Sequence, residues 1–254
     1  MEFLQSFVKD SSLEDTARAV VAPHAGWYYS GITAALAVSS LARADTVAVI
    51  GGHLPRGMPF LIAAEEGVRT PLGIMEIDRE LRDKYAKQIS CKPDNYQDNT
   101  VEVLLPMVHY FFPDAKLLWL RFPADISSFD AGKILGKTAA ALGRRLVVVA
   151  STDLTHYGSN YGFFPKGFGK PALDWMKNVN DAGFINAVLQ GDPVLVLERA
   201  QEDQSACSAG AVLGALGFVS ANGKGAKLLE YRTSADVSED EIPSSFVGYA
   251  AISL

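Results

Sequence analysis

Short apolar runs alternate with longer amphipathic stretches along most of the chain, and this alternation is typical of an α/β protein. The apolar runs predict strands at residues 18–22, 46–50, 116–121, 144–151, 227–233 and 246–252, and a hairpin or short strands at 60–64 and 67–77. The amphipathic stretches predict helices at residues 31–44, 78–88, 100–112, 130–142, 172–189, 192–203 and 209–219. Two of these helices start at good capping residues, Asp78 and Asp192.

The first strand, the first helix and the second strand form a βαβ unit, which normally joins two parallel strands by a right-handed crossover. No linker, low-complexity tract or internal repeat interrupts the 254 residues, so we expect one domain over residues 1–254. The predicted fold is a single α/β domain with a mostly parallel central sheet flanked by helices.

Composition and charge narrow the function classes. The chain is 48% hydrophobic and 20% charged, as in ordinary globular proteins, and its net charge of −6 argues against nucleic acid or an anionic membrane as a partner. No apolar run approaches the roughly 18 residues of a membrane span, and residues 1–19 do not resemble a secretory leader. Two cysteines make no disulfide framework, so we expect a reduced, cytoplasmic protein.

Three of the four histidines follow predicted strands. His24 comes two residues after the first strand, His53 three residues after the second, and His156 follows the strand that ends at residue 151. In a parallel α/β sheet the carboxyl ends of the strands share one edge, and ligands bind there. One such histidine is usually a structural residue, but three at equivalent positions favour a functional site.

Metal binding is the natural use of such histidines, since imidazole suits zinc, copper and iron, and a catalytic site has about three protein ligands. Cys207 precedes a helix of small residues, where a thiolate is favoured, and it is the candidate third ligand. The nearby carboxylates of Glu202 and Asp203 are the alternatives. Cys91 lies in a polar segment without a partner motif and is interpreted as structural or exposed.

Several segments together resemble one known family. The segments APHAGWYYSG, IGGH, DNTVEVLLPMVHYFFPDAK, VVVASTDLTHYG and CSAG occur in the order and spacing of the Memo-like family, also called AmmeMemoRadiSam system protein B. That family is similar in fold to the class III extradiol ring-cleavage dioxygenases. The resemblance runs from about residue 20 to about residue 249.

The resemblance implies a set of roles for particular residues. It places the metal ligands at His24, His53 and Cys207, and it implies that His156 is the acid/base catalyst, held by Asp153 or by a backbone group. Glu102 matches the family's helical glutamate, as a partner of a ligand histidine or as a surface charge.

This chain departs from the family pattern at three places. Asn99 stands where the family carries a pocket histidine, between Asp98 and Thr100, and the turn before His53 is a residue shorter than usual. Ser208 follows the cysteine where glycine is common. His109 lies ten residues beyond Asn99, so it does not replace the missing histidine, and we interpret it as a packing or capping residue.

Three functions from different classes stay open at this stage. The first is an iron- or copper-dependent oxidoreductase resembling the extradiol dioxygenases, and the second is a zinc-dependent hydrolase. The third is a non-catalytic metal-binding or interaction module. The expected partner is a small-molecule substrate or a peptide, and the chain could form a homo-oligomer. Trp27, Tyr28 and Tyr29 are candidates for a pocket wall, or for core packing.

Overall fold

One continuous sheet runs through the computed structural model, which describes Leu4 and residues 17–221, 225–238 and 241–254. Most of residues 1–19, where we expected no secretory leader, lie outside the described residues. The strands are β1 (Ala19–Ala22), β2 (Thr46–Leu54), β3 (Phe60–Ile62), β4 (Gly67–Thr70), β5 (Gly73–Glu76), β6 (Cys91–Pro93), β7 (Lys116–Pro123), β8 (Leu146–Ser151), β9 (His156–Gly158), β10 (Lys227–Thr233) and β11 (Ser245–Ser253).

The helices lie mostly between these strands in the chain. They are α1 (Trp27–Ser39), α2 (Arg79–Ala86), α3 (Leu105–Phe111), α4 (Ser127–Ala141), α5 (Lys170–Trp175), α6 (Ala182–Gln190), α7 (Pro193–Glu202) and α8 (Ala209–Val219). Short 3₁₀ helices cover Glu102–Leu104 and Ser234–Val237, and a π-helical stretch covers Met176–Asp181.

The strand order in the main sheet is β10-β11-β1-β8-β2-β7-β3-β6, with β9 paired to β11 off this path. The four central strands β1, β8, β2 and β7 are parallel, whereas β11 and β10 add antiparallel pairs at one side. A separate antiparallel hairpin joins β4 and β5. This arrangement confirms the predicted α/β fold with a mostly parallel central sheet flanked by helices.

The central strands are apolar because the sheet is buried on both faces. All six residues of β8 are buried, and alternate residues enter different cores. Val148 packs with residues of α4 and α8 on one face, while Val149 packs with residues of α1 and α3 on the other. On the first face α4 and α8 approach so closely that a Cβ on Gly132 would overlap the backbone of Gly214. Glycine is therefore required where these two helices cross.

Most predicted elements are present, with shifted ends. Helix α1 begins at Trp27, four residues earlier than predicted, and Asp78 caps α2 by accepting a hydrogen bond from the backbone N–H of Leu81. The predicted helix at 100–112 is a 3₁₀ turn followed by α3, whose first turn holds Pro106, a position that proline tolerates. The predicted helix at 172–189 is interrupted by the π-helical stretch.

Two short strands escaped prediction, β6 and β9. Cys91, interpreted from the sequence as structural or exposed, is half-buried and begins β6 at the far edge of the sheet. A three-residue strand leaves too little periodicity to recognise in a sequence. Within the described part of the chain, no helix has both the length and the apolar character that a membrane crossing requires.

Candidate metal centre

Three neighbouring parallel strands end at the same edge of the sheet and bring the site together. Strands β1, β8 and β2 are adjacent. His24 lies two residues beyond β1, Ser151 is the last residue of β8, and His53 lies near the end of β2. His53 has a backbone φ of +56°, in the left-handed region that non-glycine residues seldom occupy. Such strain persists where the surrounding structure holds it and is common at functional sites.

His24, His53 and Cys207 form a compact group whose ligand atoms all lie within 4.8 Å of one another. The Nε2 atom of His24 is 3.4 Å from the Cys207 Sγ, and the two imidazole rings are 5.0 Å apart in an edge-to-face arrangement. His24 is buried, Cys207 is half-buried and His53 is exposed. Two imidazoles and a thiol are a donor set that suits borderline and soft metals, and the exposed side is open to a further ligand.

Each histidine engages its Nδ1 atom with a neighbouring side chain, which leaves Nε2 for a metal. The Nδ1–H of His53 donates to the Oδ2 atom of Asp98 at 3.0 Å, and the Nδ1 atom of His24 lies 2.8 Å from the buried Ser151 hydroxyl. Metal-binding histidines commonly have such a partner, which fixes the tautomer and the ring orientation. This arrangement fits the residues to a metal ion.

Asp98 is itself held by a charge network. The buried Arg121 guanidinium lies 3.2 Å from both Asp98 and Asp94, and its Nε–H donates to the carbonyl of Gly52, beside His53. The backbone N–H and the hydroxyl of Thr100 donate to the other oxygen of Asp98. The one guanidinium forms charge-assisted hydrogen bonds with both carboxylates, and these bonds orient the Asp98 carboxylate towards His53.

Asp153 organises the other side of the centre. Its Oδ1 atom accepts hydrogen bonds from the backbone N–H groups of His24 and Ala25, at 2.8 and 3.2 Å. Its backbone carbonyl accepts a hydrogen bond from the N–H of Cys207 at 3.2 Å. Asp153 therefore fixes the backbone at two of the three candidate ligands.

Of the two partners expected for His156, the backbone group is the one observed. The Nδ1–H of His156 donates to the carbonyl oxygen of Leu154 at 3.0 Å, and among the described residues Asp153 makes no hydrogen bond to His156. His156 begins β9, whose pairing with β11 sets its backbone position. Its ring meets that of Tyr161 edge-to-face at 4.9 Å.

The electrostatics of the three candidate ligands are mutually dependent. The Asp98 carboxylate and the Cys207 sulfur raise the pKa of His53 to about 10. Burial alone would lower the pKa of His24, but Cys207 and Asp153 outweigh burial and raise it. Burial alone would raise the pKa of Cys207, but the two imidazoles hold that pKa well below its usual range. The thiol is therefore poised as a thiolate, the form that binds metals.

The turn that carries Cys207 is locked onto the strand end that carries Asp153. The backbone N–H of Ser208 donates to the Thr152 hydroxyl at 3.1 Å, and this hydroxyl donates to the Asp153 carbonyl at 2.8 Å. Leu154 also forms an isolated β-bridge with Ala206. These contacts place Cys207 just before α8 and opposite His24.

The remaining candidates lie away from the cluster or at its rim. Asp203 forms an ion pair with Arg199 at 2.9 Å, and neither Asp203 nor Glu202 belongs to the metal-ligating group. Glu102 is exposed, and its side chain makes no hydrogen bond or ion pair among the described residues, as expected of a surface charge. The Nδ1 atom of His109 lies 2.6 Å from the Thr70 hydroxyl, in line with a packing role.

The three aromatic residues after His24 are exposed and do not form a buried core. The exposed fraction of Tyr28 is 74%, and Tyr28 meets Tyr29 edge-to-face at 5.1 Å. The indole N–H of Trp27 donates to the carbonyl of Val103. Burial raises the pKa of Tyr161, and Asp153 and Tyr29 raise it further.

The sequence pattern does not indicate which residues orient the candidate ligands. No motif assigns that role to Asp98, Ser151 or Arg121. Asp98 and His53 are 45 positions apart, and Ser151 and His24 are 127 apart. The one usable signal was that Ser151 ends the apolar run that precedes Asp153.

The fold and the site together define an α/β protein with a candidate two-histidine, one-cysteine metal centre at the carboxyl edge of its parallel strands. The profile of the Memo-like protein family matches residues 1–253. This chain belongs to the Memo-like family.

Individual relatives agree with this assignment. A MEMO1 family protein of Pyrococcus abyssi is 32% identical over 271 residues, covering 99% of this chain and 92% of the relative. A MEMO1 family protein of Pyrococcus horikoshii is 30% identical over 275 residues, with the same coverage of 99% and 92%. An uncharacterised protein of Escherichia coli K12 has a similar crystal structure, with a TM-score of 0.55 at 15% identity, covering 93% of this chain and 99% of the other. The last comparison supports the fold alone.

Proposed function

We propose that this protein is a metal-dependent oxidoreductase in which His24, His53 and Cys207 hold an iron or copper ion. The observation that carries the proposal is the convergence of three ligand atoms within 4.8 Å, with both Nδ1 atoms already engaged elsewhere. A bound iron or copper ion would supply electron transfer and Lewis acidity to a small-molecule substrate.

The protein's own groups would bind, orient and move protons. The exposed face of His53 leaves the centre open to a substrate, and the hydrogen bonds and ion pairs of Asp98, Arg121 and Asp153 hold the ligands in place. His156 is the proposed proton-transfer residue. Its Nδ1–H is committed to the Leu154 carbonyl, so its Nε2 atom is the basic nitrogen that could accept and return a proton.

A zinc-dependent hydrolase is the second candidate, because a two-histidine, one-cysteine set is also a zinc ligand set. Both functions share the ligands and the proton-transfer residue, and they differ in the metal and in the need for an oxidant. Metal identity and dependence on O₂ therefore separate them.

The test is elemental analysis of protein purified without oxygen, together with His24→Ala, His53→Ala and Cys207→Ser. We expect a stoichiometric metal in the wild type, lost in all three variants. Loaded with iron, copper or zinc in turn, the protein is then screened against small phenolic, carbonyl and ester compounds with and without O₂. Turnover with zinc that ignores O₂ would make it a hydrolase, and metal retained in all three variants would refute the site.

A further inference from the structure

The hydroxyl of Ser208 lies next to the sulfur of Cys207, the candidate ligand, and is positioned to form a hydrogen bond with it. Ser208 is buried, and its Oγ atom is 3.5 Å from the Sγ atom of Cys207, with no other described hydrogen-bond partner. A buried hydroxyl needs an acceptor, and the sulfur is the acceptor within reach. The Ser208 hydroxyl therefore donates to the sulfur.

The other hydroxyl near the sulfur is not free to donate. Thr152 Oγ1 is 3.7 Å from the Cys207 Sγ, but its single proton goes to the Asp153 carbonyl at 2.8 Å. The Thr152 oxygen also accepts the N–H of Ser208. Of these two hydroxyls, only that of Ser208 has a proton for the sulfur.

The space for the Ser208 side chain is left by Gly52, a glycine in strand β2. A Cβ on Gly52 would lie 2.6 Å from the Ser208 Oγ and 2.8 Å from its Cα, inside van der Waals contact. Gly52 directly precedes His53, and its carbonyl and N–H are held by Arg121 and Thr100. Ser208 is thus packed between the end of β2, which carries His53, and the turn that carries Cys207. Its hydroxyl therefore has little freedom to rotate away from the sulfur.

We propose that Ser208 is a positioning residue that tunes the metal–thiolate bond through a hydrogen bond to the Cys207 sulfur. This inference rests on the proposed function, since it assumes that Cys207 is a ligand. Hydrogen bonds to a ligating sulfur withdraw electron density from it and shift the reduction potential of the metal upward. A metal held here is therefore easier to reduce than one held by the same ligands without the hydroxyl.

The test compares Ser208→Ala with a matched control, Ser205→Ala, in cobalt- and copper-loaded protein. Ser205 is also buried in this loop, but its hydroxyl donates to the Arg199 carbonyl and does not touch the sulfur. We expect the sulfur-to-cobalt absorption band to move to longer wavelength in Ser208→Ala and to keep its position in Ser205→Ala. We also expect the copper in Ser208→Ala to be harder to reduce, with metal content unchanged.

The possible outcomes distinguish the tuning role of Ser208 from the proposed role of Cys207 as a metal ligand. A band and a potential that stay at the wild-type values in Ser208→Ala would overturn the tuning role alone. Loss of cobalt from Ser208→Ala, with Ser205→Ala fully loaded, would also overturn it, because Ser208 would then build the site and not tune it. Cobalt bound to the wild type without any sulfur band would instead overturn Cys207 as a ligand.

Discussion

His53 donates its Nδ1–H to Asp98 at 3.0 Å, and this contact joins a surface-exposed candidate ligand to a buried charge network. The network continues through Arg121 to Asp94 and returns through the Gly52 carbonyl to the residue before His53. Both the ring and the backbone of His53 are thereby held. The strained backbone of this residue is consistent with a position fixed by its surroundings.

Asp98→Asn should weaken metal binding by about 10- to 100-fold, the usual effect of losing the carboxylate partner of a ligand histidine. The measurement is competition for the metal with a chelator of known affinity. Asp94→Asn is the control, because Asp94 contacts Arg121 and the Trp119 indole but not His53. Equal weakening in the two variants would assign the effect to the arginine network and not to His53.

Cys207→Ser should lose most of its bound metal and any sulfur-to-metal absorption band, because a serine hydroxyl is a poor ligand for soft metals. Glu202→Ala and Asp203→Ala should stay fully loaded, since both carboxylates lie outside the ligand group. Elemental analysis of the three proteins settles the choice. Full loading of Cys207→Ser with loss from either carboxylate variant would exclude the thiolate.

His156→Ala should keep its metal and lose turnover of any substrate found by the screen. The reason is that His156 lies outside the three-residue ligand group, while its Nε2 atom is left as the basic nitrogen. Nitrogen NMR of the wild type should show His156 protonated at Nδ1. Metal loss in this variant would reassign His156 as a ligand, and a proton at Nε2 would remove the proposed base.

Asp181 should make the folded protein less stable as the pH rises from about 5 to 8. Burial raises the pKa of Asp181 to about 7, although Thr155 and Tyr231 donate hydrogen bonds to it. The folded state therefore binds this proton more tightly than the unfolded state does. The stabilisation that protonated Asp181 gives to the folded state is complete below the pKa of this carboxyl in the unfolded chain, about 4. It is lost as the pH rises through the folded-state pKa of about 7.

Urea unfolding of metal-free protein at the two pH values measures the effect. Relative to Asp181→Asn, the free energy of unfolding of the wild type should fall by about 3 kcal/mol between pH 5 and 8. This value follows because the interval from pH 5 to the folded-state pKa of about 7 spans two units, at about 1.4 kcal/mol each. The control is Asp174→Asn, which removes a partly exposed carboxylate paired with Lys170. Its free energy of unfolding should fall between pH 5 and 8 by the same amount as that of the wild type. A difference between wild type and Asp181→Asn that does not vary with pH would show that Asp181 has an ordinary pKa.

Local patterns along the chain were enough to predict the α/β fold and the placement of the histidines. The apolar run at β8 is continuous because both faces of a central strand are buried, and this is visible without a structure. The capping of α2 by Asp78 depends on residues three positions apart. His24 and His53 meet because β1 and β2 both flank β8, and parallel strands end at one edge.

Tertiary structure alone decided how the candidate ligands are held and what His156 contacts. The partner of the Asp153 carboxylate is the backbone of His24, 129 positions away, and not the histidine three residues along. Asp98 and His53 are 45 positions apart, and Asp98 is held beside His53 by its contacts with Arg121 and Thr100. A hydrogen bond between distant residues depends on packing in three dimensions and leaves no periodic trace in the sequence. The chain by itself therefore indicated which residues gather at the sheet edge, and the packing of the loops determined which of them touch.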